Sequence, residues 1–122
     1  REASRHLGVD VRFSPHVHPA FRGLTVTAHM PLATKFDRDQ FRALYAERYG
    51  GEPLVKLVED APALKDGAQQ NGILVGGFSL SEDGRHGVVV AAEDNLLKGA
   101  AVQAIQNLNL ALGLPEMLGL EA

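Results

Sequence analysis

The stretch ILVGGFSLSEDGRHGVVVAA, residues 73–92, decides how this chain folds. Residues 73–80 read as a β-strand, and Ser81-Glu82-Asp83-Gly84 reads as a hairpin turn. The apolar run 88–92 is the returning strand, so this pair is antiparallel. Gly76-Gly77 inside the first strand marks a bulge or a close backbone approach.

Upstream, Leu24, Val26, Ala28, Met30 and Leu32 alternate with Thr25, Thr27 and His29, which predicts a strand with one buried face. That face should meet Phe41, Leu44 and Tyr45. The opposite face is polar but β-prone and suits a subunit contact, sheet against sheet. Residues 54–58 read as another strand and residues 59–71 as a long polar loop. Val9, Val11 and Phe13 also alternate with polar residues, which is strand periodicity. Residues 1–7 read as the end of a helix, with Gly8 as its C-cap.

Two helices have legible starts. Asp37 with Gln40 three residues later makes a capping box, and Phe36 with Phe41 a hydrophobic staple. Phe41, Leu44, Tyr45 and Tyr49 follow at helical spacing, and Gly50-Gly51 ends that helix. After residue 92, Asp94 or Asn95 caps a long final helix to about Leu112. Gly113 closes it and Pro115 prevents its continuation. Leu97, Ala101, Leu108 and Leu112 are expected to pack on the sheet. Gly99, Gln103, Gln106 and Leu110 then face the other way. Taken together, the order predicts an α+β fold, a mostly antiparallel sheet flanked by helices on one face.

Composition narrows the function classes. The chain has 122 residues, 45% hydrophobic and 22% charged, about one ordinary globular domain. A formal net charge of −3, with both signs mixed along the chain, argues against a nucleic-acid footprint. No apolar run is long enough to cross a bilayer. There is no cysteine, so disulfides, thiolate metal sites and a cysteine nucleophile are excluded within these residues.

Chemistry has two places to sit. In Pro15-His16-Val17-His18-Pro19 two histidines at i, i+2 allow a metal reading, but no third ligand stands nearby in sequence, and no metal site is expected. A loop stiffened by two prolines and followed by Arg22 better suits a substrate, because a guanidinium recognises carboxylate or phosphate with two hydrogen bonds. The plain alternative for Arg22 is a surface arginine beside a turn glycine. At the start of the final helix, free N–H groups and the positive dipole end favour an anionic or amide-bearing ligand. There Gly99, Ala100, Ala101 and Ala104 leave the first turns bare of bulk. Its plain alternative is an ordinary capped helix with a small packing face.

The run from Glu93 to Asn109, Glu-Asp-Asn-Leu-Leu-Lys-Gly-Ala-Ala-Val-Gln-Ala-Ile-Gln-Asn-Leu-Asn, resembles the last helix of the N-acetyl-gamma-glutamyl-phosphate reductases. Leu114-Pro115-Glu116 with Gly119-Leu120 resembles their ending. Phe13-Ser14-Pro15-His16 with Arg22-Gly23 resembles their phenylalanine-threonine-proline-histidine loop, which closes on arginine-glycine. Tyr45-Ala46-Glu47-Arg48-Tyr49 and Glu52-Pro53-Leu54-Val55 match in order. Residues 72–80 resemble the subgroup found in fungal bifunctional enzymes and some bacteria.

The resemblance implies a C-terminal domain like that of glyceraldehyde-3-phosphate dehydrogenase, spanning residues 1–122. It also implies reduction of N-acetylglutamyl phosphate by NADPH to the semialdehyde, in arginine biosynthesis, through a thioester on a cysteine. The nucleophilic cysteine and glycine-rich dinucleotide loop belong to a preceding NADP-binding domain absent here. The family's catalytic histidine falls in a His-Arg-His segment expected just before Arg1, and His6 does not match its context. His18 stands where the family has an aliphatic residue. No catalytic residue is therefore assigned. His16 and Arg22 are the expected substrate-binding residues; Asn95, Lys98 and Gly99 the expected cofactor-binding ones.

Expected partners are the N-terminal domain, a small-molecule substrate and a second copy, as dimer or tetramer. The resemblance implies a cytoplasmic parent, or a mitochondrial one if it is of the fungal bifunctional type. Two other readings stand beside it: a non-catalytic α+β oligomerisation module, and a related lysine-pathway or aspartate-semialdehyde dehydrogenase. The last usually carries arginine-glycine-histidine where this chain has Arg22-Gly23-Leu24.

Overall fold

The hairpin is the centre of the molecule. In the computed structural model, which describes residues 2–120, β3 (Ile73–Leu80) and β4 (His86–Glu93) pair antiparallel through the turn at residues 81–85. Gly84 takes φ +68° there, and its N–H donates to Ser81 O at 2.8 Å. The β3–β4 register shifts between Gly76 and Ser79, a bulge at the glycine pair, with Gly77 at φ +66°. A side chain at Gly76 would strike the backbone of Asp60 and Val58, so the second reading of this pair, close approach, also holds.

Around the hairpin the sheet is four-stranded, in the order β1-β4-β3-β2. β1 (Leu24–Pro31) pairs antiparallel with β4, and the short β2 (Val55–Leu57) pairs parallel with β3. The remaining elements are α1 (Glu2–Leu7), α2 (Arg38–Tyr49), α3 (Leu64–Gly67) and α4 (Val102–Ala111), the last entered through a π-helical turn, Leu97–Ala101. Among the described residues no helix is long and apolar enough to cross a membrane.

One face of the sheet is covered by α2. Its capping box is complete: Gln40 N donates to Asp37 Oδ1 at 2.8 Å and Asp37 N donates to Gln40 Oε1 at 3.0 Å. Phe36 packs against the cluster that contains Phe41, as the staple requires. Phe41, buried to 1% exposure, packs with Val75, Phe78 and Val89, its ring edge-on to Tyr45 and Phe78. Ala28, Met30 and Leu32 reach this core, but Leu24, Val26 and Leu44 stay largely exposed. The alternation fixed which face they share, not how far the helix extends over it. Residues 58–61 lie over Gly76 and Gly77 on the opposite face, and α3 follows against Ala92, Glu93 and Gly23, so helical cover is two-sided rather than one-sided.

Two other expectations are corrected. Residues 9–13 form no strand; they run as coil, held where Val11 N donates to Ser4 Oγ at 3.0 Å. Lacking a neighbouring strand, that alternation has no ladder to join. The final helix also packs on a different side from the expected one, though Gly99 and Leu110 stay exposed as well. Its inner side is Val102 and the buried Asn109, set against Leu54, Leu120 and the backbone carbonyls of Glu116 and Leu118. Leu97 joins that cluster, but Ile105, Leu108 and Leu112 face outward at 40%, 56% and 64% exposure.

Candidate functional site

Register brings the two sequence candidates together. Because β1 and β4 are antiparallel and Leu24 opposes Glu93, the residues just before β1 meet those just after β4. Gly23 N donates to Asn95 Oδ1 at 2.8 Å, and Arg22 Nε lies 3.0 Å from Asp94 Oδ2. Gly23 holds φ +105°, and a side chain there would collide with Leu64, so only glycine lets α3 close over the junction.

Asp94 is the hub. Its carboxylate is fully buried. Oδ1 accepts from Leu96 N and Leu97 N at 2.8 and 3.1 Å, and Oδ2 accepts from Gln69 N at 2.7 Å. Gln69 sits in the left-handed region at φ +62° to make that bond. Burial alone would raise the Asp94 carboxyl; the three N–H donors and the Arg22 charge outweigh it and hold it below the usual carboxylate range. One side chain thus ties together the end of the 15–23 loop, the exit from α3 and the start of the final helix.

That helix start is π-helical. Gly99 N and Ala101 N donate to carbonyls five residues back, Asp94 O at 3.0 Å and Leu96 O at 3.2 Å. Gly99 is exposed, and its nearest neighbour is the side chain of Glu93: a Cβ would lie 3.3 Å from Glu93 Oε1. Glu93 is half-buried, and burial raises its carboxyl, with Lys98 opposing and Asp94 reinforcing the shift. Lys98 Nζ donates to Gln103 Oε1 and Gln106 Oε1, both at 2.6 Å. It borders an open cleft of about 300 Å³ shared with Arg48, Tyr49, Glu52 and Glu116.

Of the sequence candidates, Arg22, Asn95 and Gly99 therefore converge, and Lys98 adjoins them with its ammonium turned to two glutamines. His16 does not converge. It is exposed, and no described hydrogen bond or ion pair ties it to the junction. Its loop also presents Phe13, Phe21 and the completely exposed Val17 outward. Among the described residues no three His, Asp or Glu gather as a metal site. Asp94 appeared in the sequence only as a cap. The missing signal was the β1–β4 register, which sets it opposite Arg22.

The chain belongs to the semialdehyde dehydrogenase dimerisation-domain family, whose model matches residues 1–95. Curated relatives that match nearly the whole chain include several named N-acetyl-gamma-glutamyl-phosphate reductase. That of Xanthomonas euvesicatoria is 48% identical over 120 residues, covering 98% of this chain and 38% of the relative. That of Xanthomonas campestris is 50% identical over 117 residues, 96% of this chain and 37% of the relative. That of Stenotrophomonas maltophilia is likewise 50% identical over 117 residues. The chain thus spans under two-fifths of those relatives.

Among solved structures, aspartate semialdehyde dehydrogenase II of Vibrio cholerae superposes with TM-score 0.64 at 22% identity, over 78% of this chain and 28% of that one. The Francisella tularensis aspartate semialdehyde dehydrogenase does so with TM-score 0.56 at 17% identity, over 74% and 27%. These two establish the fold.

Proposed function

We propose that this chain is the substrate-side and subunit-contact portion of an NADPH-dependent N-acetyl-gamma-glutamyl-phosphate reductase, in a cytoplasmic parent. The observation that carries the reading is 48% identity to a reductase of that name across 98% of the chain. Such identity spans both the Arg22 loop and the Asn95 helix start, which the fold brings into contact.

The chemistry is divided between this chain and the rest of the parent. With no cysteine, these residues do not supply the thiolate that would displace phosphate from an acyl phosphate. Their part is binding and orientation. Arg22 is proposed to hold a phosphate or carboxylate of the substrate; His16, exposed on the same loop and not tied to the junction, is proposed as a separate contact. Asn95 spends its Oδ1 on Gly23, and no described hydrogen bond engages its Nδ2, which leaves an amide donor for a carboxamide. Gly99 and Ala100, exposed on the π turn, leave room for a flat ring, and Lys98 borders that space. NADP supplies hydride chemistry when bound, and its main binding surface lies in the N-terminal domain. The outward stripe Ile105, Leu108 and Leu112 gives that domain an apolar surface to cover.

The exposed polar strip Thr25, Thr27 and His29, flanked by half-buried Val88 and Val90, is the proposed subunit contact, as dimer or tetramer. Thr27→Glu should shift the parent toward monomer in sedimentation velocity. The substrate is tested on the parent in the oxidative direction, with NADP, phosphate and either N-acetylglutamate semialdehyde or aspartate semialdehyde. Preference for the acetylated substrate is expected. Preference for aspartate semialdehyde would overturn the assignment.

A further inference from the structure

We propose that Asp94 is a positioning residue for anion binding: it clamps Arg22 so that the guanidinium's Nη1 and Nη2 edge is presented to a phosphate or carboxylate. The proposal rests on the reductase reading for the natural ligand but not for the site itself.

The first observation is an imbalance in the pair. Asp94 is well satisfied: three backbone N–H groups donate to its two oxygens, and Arg22 Nε lies 3.0 Å from Oδ2 as an ion pair. Arg22 is nearly empty. No described hydrogen bond uses Nη1 or Nη2. Nε, though 3.0 Å from Asp94 Oδ2, is buried with its N–H misdirected and has no hydrogen-bond partner. A guanidinium carries five N–H donors; of these only the Nε N–H is buried, at a cost, while Nη1 and Nη2 are open to solvent and to a ligand. An anion with two oxygens would satisfy the outer edge, and small rotation would straighten the Nε contact.

The second observation is rigidity. Arg22 precedes Gly23, whose N–H is fixed on Asn95 and whose space is closed by Leu64. Its side chain is 30% exposed, so one edge reaches solvent while the other is enclosed. An arginine held by its inner edge loses less side-chain freedom on binding than a free surface arginine. The carboxylate also reaches the final-helix start through Leu96 and Leu97, so the same residue sets the spacing between the anion edge and Asn95.

The plain alternative is that Asp94 only caps the helix and closes α3. Asp94→Asn separates the clamp from the helix cap, since the amide oxygen can still accept from Leu96 and Leu97 while the negative charge beside Arg22 is lost; Gln69→Ala, which leaves that charge in place but perturbs the α3 exit, should leave phosphate affinity unchanged. Inorganic phosphate is titrated into this chain while the Arg22 side-chain N–H resonances are followed by NMR. Saturable shifts are expected in the unmodified chain, with affinity weakened about tenfold in Asp94→Asn. In Arg22→Lys, which keeps the charge but cannot present a fork, the neighbouring Gly23 and Asn95 amides are followed instead, and their phosphate-dependent shifts, present in the unmodified chain, should be lost.

The parent enzyme gives the second readout. Asp94→Asn should raise KM for the acyl phosphate about tenfold and change KM for NADPH by less than about twofold. In an Arg22→Ala background it should add nothing further. Unchanged phosphate affinity in Asp94→Asn, no Arg22 shifts in the unmodified chain, or parallel changes in both KM values would each overturn the clamp. If the parent lacks acyl-phosphate reductase activity while phosphate still binds Arg22 in an Asp94-dependent way, the clamp stands and the reductase reading falls.

Discussion

Leu108 and Leu112 offer the sharpest perturbation, because their environment differs between this chain and its parent. In the chain they are 56% and 64% exposed. Replacing both with Gln removes little buried area, so the chain alone should lose less than about 1 kcal/mol. If the rest of the parent covers the stripe, each leucine gains the burial it lacks here. Full burial of a leucine is worth about 1.5–3 kcal/mol, and more than half of that is still outstanding at both positions. The same double change should therefore cost the parent about 2–4 kcal/mol once unpaired amides at the interface are included. Urea unfolding of both proteins, with and without the two substitutions, measures the difference directly. Equal losses in chain and parent would refute the claim that this face is an internal domain contact.

Three further outcomes follow from the geometry. Phe41→Ala should cost about 3–5 kcal/mol in urea unfolding, since it empties the centre of the core against Phe78 and Tyr45. Asp94 has a folded pKa below its ordinary 3.8, so its stabilising share is complete above about pH 4 and is lost as pH falls through the folded value; Asp94→Asn should flatten this acid limb in a pH series of unfolding curves. Glu93 is shifted the opposite way from 4.5, by burial first; its contribution is present below about pH 4 and lost as pH rises through the raised value, so Glu93→Gln should raise the thermal midpoint at neutral pH and leave it unchanged in acid.

Legibility in the sequence followed the range of the interactions. The hairpin, its glycine bulge, the β1 alternation and the Asp37–Gln40 box are set by residues a few positions apart, and each was readable. What depends on distant partners was not. Val9, Val11 and Phe13 had the right period but no neighbouring strand. β2 took its parallel place beside β3 through a register that spacing does not encode. Of the residues expected on the inner side of the final helix only Leu97 is there; Leu108 and Leu112 face outward, and the buried Asn109 takes the inner side because Glu116 and Leu118 return to meet it. The site followed the same rule. Arg22 and Asn95 were recognisable separately, whereas the role of Asp94 needed the β1–β4 pairing that sets it beside Arg22.

The most direct test of the reductase assignment compares this chain with its parent in one assay. NADPH oxidation is followed with N-acetylglutamyl phosphate as substrate, first with residues 1–122 alone and then with the parent polypeptide. Turnover should be absent in the first and present in the second, because the thiolate nucleophile is not among these residues. Turnover by the chain alone, or none by the folded parent, would contradict the assignment.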